Sequence, residues 1–235
     1  MILTAHQPAY LPWLGYFDKL IRSDIFIYLD SVQYEKNSFT NRNKIKTPHG
    51  ELWLTIPVRT KNHMNRILKD IEIDLYKNWE RKHLNSIYLN YKKARRFEIC
   101  YPILEKLYQA KYKLLSDLCF EHLLFWLQVI GIKKNIVKSS ELGVYSKKSD
   151  LILDLCRYFK ADCYISGPLG KNYLEEEYFE KNGIKIEYQN YKHPVYPQLW
   201  NDFLPHMSIL DFWMNSDEYY LITGENKDEF FKRMG

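Results

Sequence analysis

The segment His6-Gln7-Pro8-Ala9-Tyr10-Leu11-Pro12-Trp13 brings together side chains that can bind and process a polar ligand. His6 can serve as acid, base or hydrogen-bond donor near neutral pH. Gln7 adds an amide, and Tyr10 and Trp13 add flat surfaces with polar tips. Pro8 and Pro12 fix φ and restrict Gln7 and Leu11 to extended geometry, so the segment loses little entropy on ordering. Adjacent polar residues at a strand end favour a functional role for His6 and Gln7. Trp13 reads first as a packing residue, and the plain alternative for the whole segment is a helix packed onto a sheet with His6 as a cap.

Further candidates stand at other strand ends. Asp30 follows the apolar run 24–29, Ser139-Ser140 follow a later strand, and Ser166-Gly167 the next. The run Ser166-Gly-Pro-Leu-Gly-Lys171 leads from a strand to a helix and could offer backbone N–H groups to an anion, although it is not a P-loop; as a plain turn it needs no function. Asn41-Arg42-Asn43-Lys44 form a polar cluster in which Arg42 could hold a phosphate or carboxylate bidentately, and a solvated loop fits equally well. Near the C-terminus Ser208 and Asp211 have the spacing of an N-cap and its N3 partner. Gln198 and His206 have no such structural duty and are read as cleft-lining.

The elements that must position these groups follow from apolar spacing. Ile2–Ala5 is a short buried strand. Trp13, Phe17, Leu20 and Ile21 mark one helix face, with Asp18, Lys19 and Arg22 on the other. Residues 24–30 form a nearly continuous apolar strand of the type covered on both faces in a parallel sheet. A polar segment, 31–50, holds Gln33, Asn41, Arg42 and Lys44. Strands are expected over 52–58 and 71–75, then helices over 79–91, 102–108 and 114–130. A strand at 136–138, a helix at 148–159, a strand at 161–165, a helix at 173–181 and a last strand at 184–188 complete the alternation. The expected fold is one α/β domain over 1–235, with a mostly parallel sheet and a helical insertion at about 77–131. In such sheets ligands bind at the carboxyl ends of strands, where His6, Asp30, Ser139-Ser140 and Ser166-Gly167 would converge.

Composition narrows the class. Apolar residues make up 46% of 235, enough for a packed core. No apolar run is long enough to span a bilayer and no signal peptide is seen, so a soluble cytoplasmic protein is expected. The net charge of +5 is mild, and nucleic-acid binding has only that and interleaved aromatics behind it. Cys100, Cys119, Cys156 and Cys163 form no C-x-x-C pair and read as buried thiols. The seven histidines, His63 included, show no metal-ligand spacing, so no metal is expected and no cofactor follows from the residues.

The stretches HQPAYLPWLGYFDKL, SDIFIYLDSVQY, NSFTNRNKIKT, YISG and YPQLW with FLPHMSILDFWMN together resemble the WbqC-like protein family over most of the chain. The resemblance implies a setting in bacterial surface-polysaccharide (O-antigen) biosynthesis and a sugar-modifying transferase, with acyl or aminoacyl transfer to an amino sugar on a nucleotide carrier. It carries over as motif positions His6, Gln7, Tyr10, Trp13, Asp30, Gln33, Asn41, Arg42, Gln198, Ser208 and Asp211. A fainter likeness is to nucleotidyltransferase-type folds, whose βαβ start the first 30 residues resemble; Tyr16 stands where their second histidine would be, which weakens adenylyl transfer. The expected catalytic set is His6, Gln7 and Asp30. The expected binding set is Tyr10, Gln33, Asn41, Arg42, Lys44, Ser166, Gly167, Gln198 and His206. The expected partner is a small molecule, a nucleotide-linked sugar, and the alternatives are a non-catalytic glycan-precursor or partner-enzyme binding module and a nucleotide-binding enzyme.

Overall fold

The computed structural model describes residues 1–59, 66–200 and 202–226, so His63 lies outside the described residues. Five parallel strands form the central sheet: β1 (Ile2–His6), β2 (Ile25–Tyr28), β5 (Asn135–Lys138), β6 (Cys163–Ser166) and β7 (Lys185–Tyr188), in the order β5-β2-β1-β6-β7. The remaining strands, β3 (Arg42–Thr47) and β4 (Gly50–Thr55), pair as a separate antiparallel hairpin. The helices are α1 (Leu14–Arg22), α2 (Trp79–Tyr91), α3 (Phe97–Gln109), α4 (Leu115–Val129), α5 (Lys148–Phe159), α6 (Glu176–Lys181), α7 (Ile209–Asn215) and α8 (Tyr220–Thr223).

Period-two alternation divides the sheet between two cores. Leu3 and Ala5 of β1, with Ile27 and Leu29 at β2, pack on Leu151, Leu155 and Phe179 of α5 and α6. Phe26 and Tyr28 turn to the opposite face, with Tyr16, Phe17 and Leu20 of α1 and with the helices α2, α3, α4 and α7. Strands covered on both faces read as continuous apolar runs, which is why β2 was legible. Three stretches differ from expectation. Residues 71–75 make only isolated bridges, Val58 to Ile73 and Glu72 to Leu114, rather than a strand. The polar segment 42–47 is strand β3, not a loop. The helix expected from 102 starts at Phe97 and carries Pro102 in its interior.

The strand order puts the reversal of winding between β1 and β6. The chain leaves β1 towards α1 on one face and leaves β6 towards α6 on the other, so the connections diverge at the carboxyl ends, where ligands bind in sheets of this kind. No described helix is long and apolar enough to cross a membrane.

Candidate functional site

His6 ends β1 and opens the connection to α1. Its Nδ1 lies 2.9 Å from the Gln7 carbonyl, so it donates there and leaves the lone pair on Nε2. Trp13 and Tyr16 hold the ring from two sides, with centroids 5.3 and 4.6 Å away. Burial first, and then the charge of Lys19, push His6 down to about 3, so the neutral ring prevails at ordinary pH. His6 is half-buried, and its Nε2 and the Gln7 amide have no protein partner among the described residues.

The loop between them and α1 is not uniformly extended as the prolines imply. Leu11 has φ +46, the left-handed region that a branched side chain avoids. It is kept there by its buried side chain and by Asn43 of β3, whose amide donates to the Leu11 carbonyl at 2.6 Å. The Pro12 carbonyl accepts from Ile209 N–H at 2.8 Å, which ties the same loop to α7.

On the neighbouring strand, Ser166 is buried at the end of β6 and donates to the Gly167 carbonyl at 3.0 Å. Space beside Gly167 is open, since a Cβ there would meet nothing within 4 Å. Gly170 is different: a Cβ there would collide with the Ser166 hydroxyl. Asp30, just after β2, accepts from Ser139 Oγ (3.1 Å), Ser140 N–H (2.9 Å) and Ser140 Oγ (2.7 Å). It therefore clasps the carboxyl ends of β2 and β5, with its oxygens engaged by protein.

Trp13 links His6 to a second feature. Its ring lies 5.2 Å from Phe39, which lies 5.7 Å from Trp53 on β4. Phe39 and Trp53 are 42% and 38% exposed. The Arg42 guanidinium stacks on Trp53 at 4.3 Å and donates to the Asn37 carbonyl at 2.6 Å, while its Nε is buried with no partner among the described residues. Lys44 also faces Trp53, at 5.2 Å, but is paired with Glu51 at 2.6 Å. The result is an aromatic platform with a cation over it, connected to the His6 ring through Trp13.

Other expected residues serve elsewhere. Tyr10 is fully buried in the helical block: its hydroxyl donates to His83 Nδ1 at 2.8 Å and is hydrogen-bonded to Tyr108, while His83 Nε2 faces the Thr55 carbonyl at 3.2 Å. Asn41 is buried and donates to the Ile56 carbonyl at 2.9 Å. Gln33 is exposed and forms a backbone bridge with Ile67. Gln198 donates to the Asp211 carboxylate and the Leu204 carbonyl and accepts from Leu204 N–H, so its amide is occupied. His206 is exposed at φ +60, its ring 5.1 Å from His193. Ser208 does stand at the N-cap of α7 but makes no side-chain cap bond, and Asp211 instead accepts from Tyr91, Tyr196 and Gln198.

Sequence reasoning missed Lys19 and the Phe39–Trp53 pair, and read Asn43 only as part of a polar cluster rather than as the partner of the Leu11 carbonyl. Lys19 is expected on the face of α1 opposite the apolar residues, yet it is 4% exposed and its Nζ donates to the Ala5 carbonyl at 2.8 Å. The available signal was the Tyr16-Lys19-Ser23 stripe at i, i+3 and i+7. Among the described residues no group of His, Cys, Asp and Glu is arranged to hold a metal ion.

The WbqC-like protein family matches residues 7–220, and the chain belongs to that family. The chain is 32% identical over 211 residues to the uncharacterized protein Rv1507c of Mycobacterium tuberculosis (strain ATCC 25618 / H37Rv), an alignment covering 89% of this chain and 91% of that protein. No solved structure matches.

Proposed function

We propose that this member of the WbqC-like family is a cytoplasmic transferase that moves an acyl or aminoacyl group onto the amine of a nucleotide-linked amino sugar. The observation that carries it is the free Nε2 of a neutral His6 at the winding reversal of a parallel sheet, linked through Trp13 to a cation-capped aromatic platform on the β3–β4 hairpin. The exposed faces of Phe39 and Trp53 suit a base or sugar face, and Arg42 suits a phosphate. In this reading Gln7 offers its amide to the sugar or the acyl oxygen. The amine nitrogen attacks the acyl carbon, the N–C bond forms, and the bond to the donor's leaving group breaks. The proton shed by the amine passes to His6 Nε2 and from there to the leaving group. A neutral imidazole is ready to accept it without first losing a proton of its own.

The test is His6→Ala in a reconstituted transfer assay with a panel of nucleotide amino sugars and acyl donors. Turnover should fall by about 10²-fold or more with folding retained. Trp53→Ala should raise KM and weaken the thermal stabilisation given by the nucleotide sugar, leaving kcat nearly unchanged. Full activity of His6→Ala, or no stabilisation of the wild type by any nucleotide sugar, would sink the proposal.

A further inference from the structure

The hydroxyls around Asp30 have too few hydrogens for more than one arrangement. Ser139 Oγ carries one hydrogen and two lone pairs. The hydrogen goes to Asp30 Oδ1 at 3.1 Å, and the lone pairs face Ser31 N–H at 3.2 Å and Ser31 Oγ at 2.8 Å. Ser31 Oγ–H therefore donates to Ser139 and not the reverse. Ser140 gives its own hydroxyl hydrogen to Asp30 Oδ2 at 2.7 Å. All three serine hydrogens run inward, to one carboxylate. Asp30 and Ser139 are 3% and 2% exposed, whereas Ser31 is half-buried. What Ser31 presents outward is an oxygen with lone pairs only, and no other donor meets it among the described residues. That oxygen stands just past the strand next to His6. Tyr28 pairs with His6 on one side and with Lys138 on the other, and Leu29 N–H donates to the His6 carbonyl at 2.9 Å. Asp30 already clasps β2 to β5 through Ser139 and Ser140, so the Ser31 hydroxyl is left over from that duty.

We propose that Ser31 Oγ binds the amino group of the acceptor, taking one of its N–H bonds at the outer end of the hydroxyl relay from Ser31 through Ser139 to Asp30. This rests on the reading of the site as one that acylates an amine. An amine attacks through its nitrogen lone pair, so the residue holding it must accept N–H and leave that pair free. A serine hydroxyl that rotates freely can also donate to the nitrogen, which blocks attack. Here the hydrogen is committed to Ser139, and Ser31 Oγ acts only as an acceptor. The carboxylate at the inner end polarises the relay and strengthens that acceptor. Before reaction a protonated amine also brings positive charge towards Asp30, which a hydroxyl at the same sugar position does not. The relay is therefore a specificity device for an amino sugar over its hydroxyl counterpart.

The experiment titrates the isotope-labelled full chain with glucosamine, and separately with glucose, which has a hydroxyl where glucosamine has its amine. The backbone amide signals of Ser31 and Ser139 are followed by NMR. Glucosamine should shift both signals to saturation and bind about fivefold more tightly than glucose, the scale of one hydrogen bond. Ser31→Ala should bring the two sugars to equal affinity. Ser31→Thr, which keeps the hydroxyl, should retain the preference. Unmoved Ser31 and Ser139 signals with glucosamine, or a preference that survives in Ser31→Ala, overturns the proposal. If Ser31→Ala does not fold, the wild type decides: a preference for glucosamine sensed at Ser31 supports the proposal, and equal binding overturns it. These signals need neither turnover nor a nucleotide. Full activity of His6→Ala would thus remove the transfer reading, while the Ser31 assignment stands or falls on the shifts alone.

Discussion

Replacing Asp211 with Ala tests whether the C-terminal stretch is held by a helix cap or by a buried polar hub. Asp211 is fully buried and accepts from Tyr91 at 2.6 Å, Tyr196 at 2.8 Å and Gln198 at 2.8 Å. Tyr91 in turn accepts from Lys46 N–H at 2.9 Å, so the carboxylate ties α7 to α2, to β3 and to the loop carrying Gln198. A cap-type role would cost about 1 kcal/mol on removal. Leaving buried donors unmet costs about 1–3 kcal/mol each, and removing a buried carboxylate returns part of that. The expected net loss in Asp211→Ala is about 3 kcal/mol, read from the urea midpoint at unchanged m-value. Asp211→Asn should lose less, because Tyr91 keeps an acceptor and Tyr196 can reverse its hydrogen bond, while Gln198 meets a donor. The pH dependence has a definite sign. Burial raises Asp211 above its usual 3.8, so the native state binds this proton more tightly. Its contribution is complete below 3.8 and declines as pH rises through the native midpoint, a slope absent from Asp211→Asn. A loss under about 1 kcal/mol in Asp211→Ala would refute the hub and restore the cap.

Tyr10→Phe should destabilise the protein by about 2 kcal/mol in urea unfolding, because it strips His83 and Tyr108 of their partner; wild-type stability in this variant would show that the hydroxyl is idle in the fold. Acid should destabilise the chain from about pH 6.5 downward, since burial holds His83 at about 4 and His122 at about 3. Their neutral forms contribute fully above 6.5, and each loses about 2 kcal/mol by pH 5, so His122→Phe should flatten the drop; an unchanged drop would clear His122 of that role. Gly167→Ala should fold as well as the wild type, because its Cβ enters open space, but should reduce nucleotide-sugar binding if the carboxyl ends of β1 and β6 form the site; undiminished binding in calorimetry would place the ligand elsewhere.

How much was legible depended on whether a residue's partner lay nearby in sequence. The periodic apolar helices α2 and α5 were readable to the residue, over 79–91 and 148–159. The parallel strands were visible as apolar runs, and with them the nearness of His6 and Ser166 at the carboxyl ends of neighbouring strands. Strand β3 was not, because Asn43 and Lys46 are polar residues buried by distant partners, the carbonyls of Leu11 and Asp202. Lys19 failed for the same reason: its acceptor is a backbone carbonyl, which no side-chain pattern marks. The alternation in 71–75 was real, but its neighbours offered single bridges and no ladder, so a strand pattern produced no strand.

The left-handed Leu11 connects these failures to the site. A branched residue at positive φ costs about 1–2 kcal/mol and persists only where surroundings over-determine it. Here the surroundings are the ones sequence reasoning could not see: Asn43 on the Leu11 carbonyl, Ile209 on the Pro12 carbonyl, and the Phe39 carbonyl on Tyr10 N–H at 3.1 Å. Each bond comes from a segment outside the loop, and two of them, Asn43 and Phe39, belong to the stretch that also supplies the cation-capped platform. The strained turn therefore fastens the β3–β4 hairpin to the segment bearing His6 and Trp13, so that platform and imidazole keep one relative geometry. Two prolines alone would have stiffened the loop without fixing where it points; the hairpin supplies the direction.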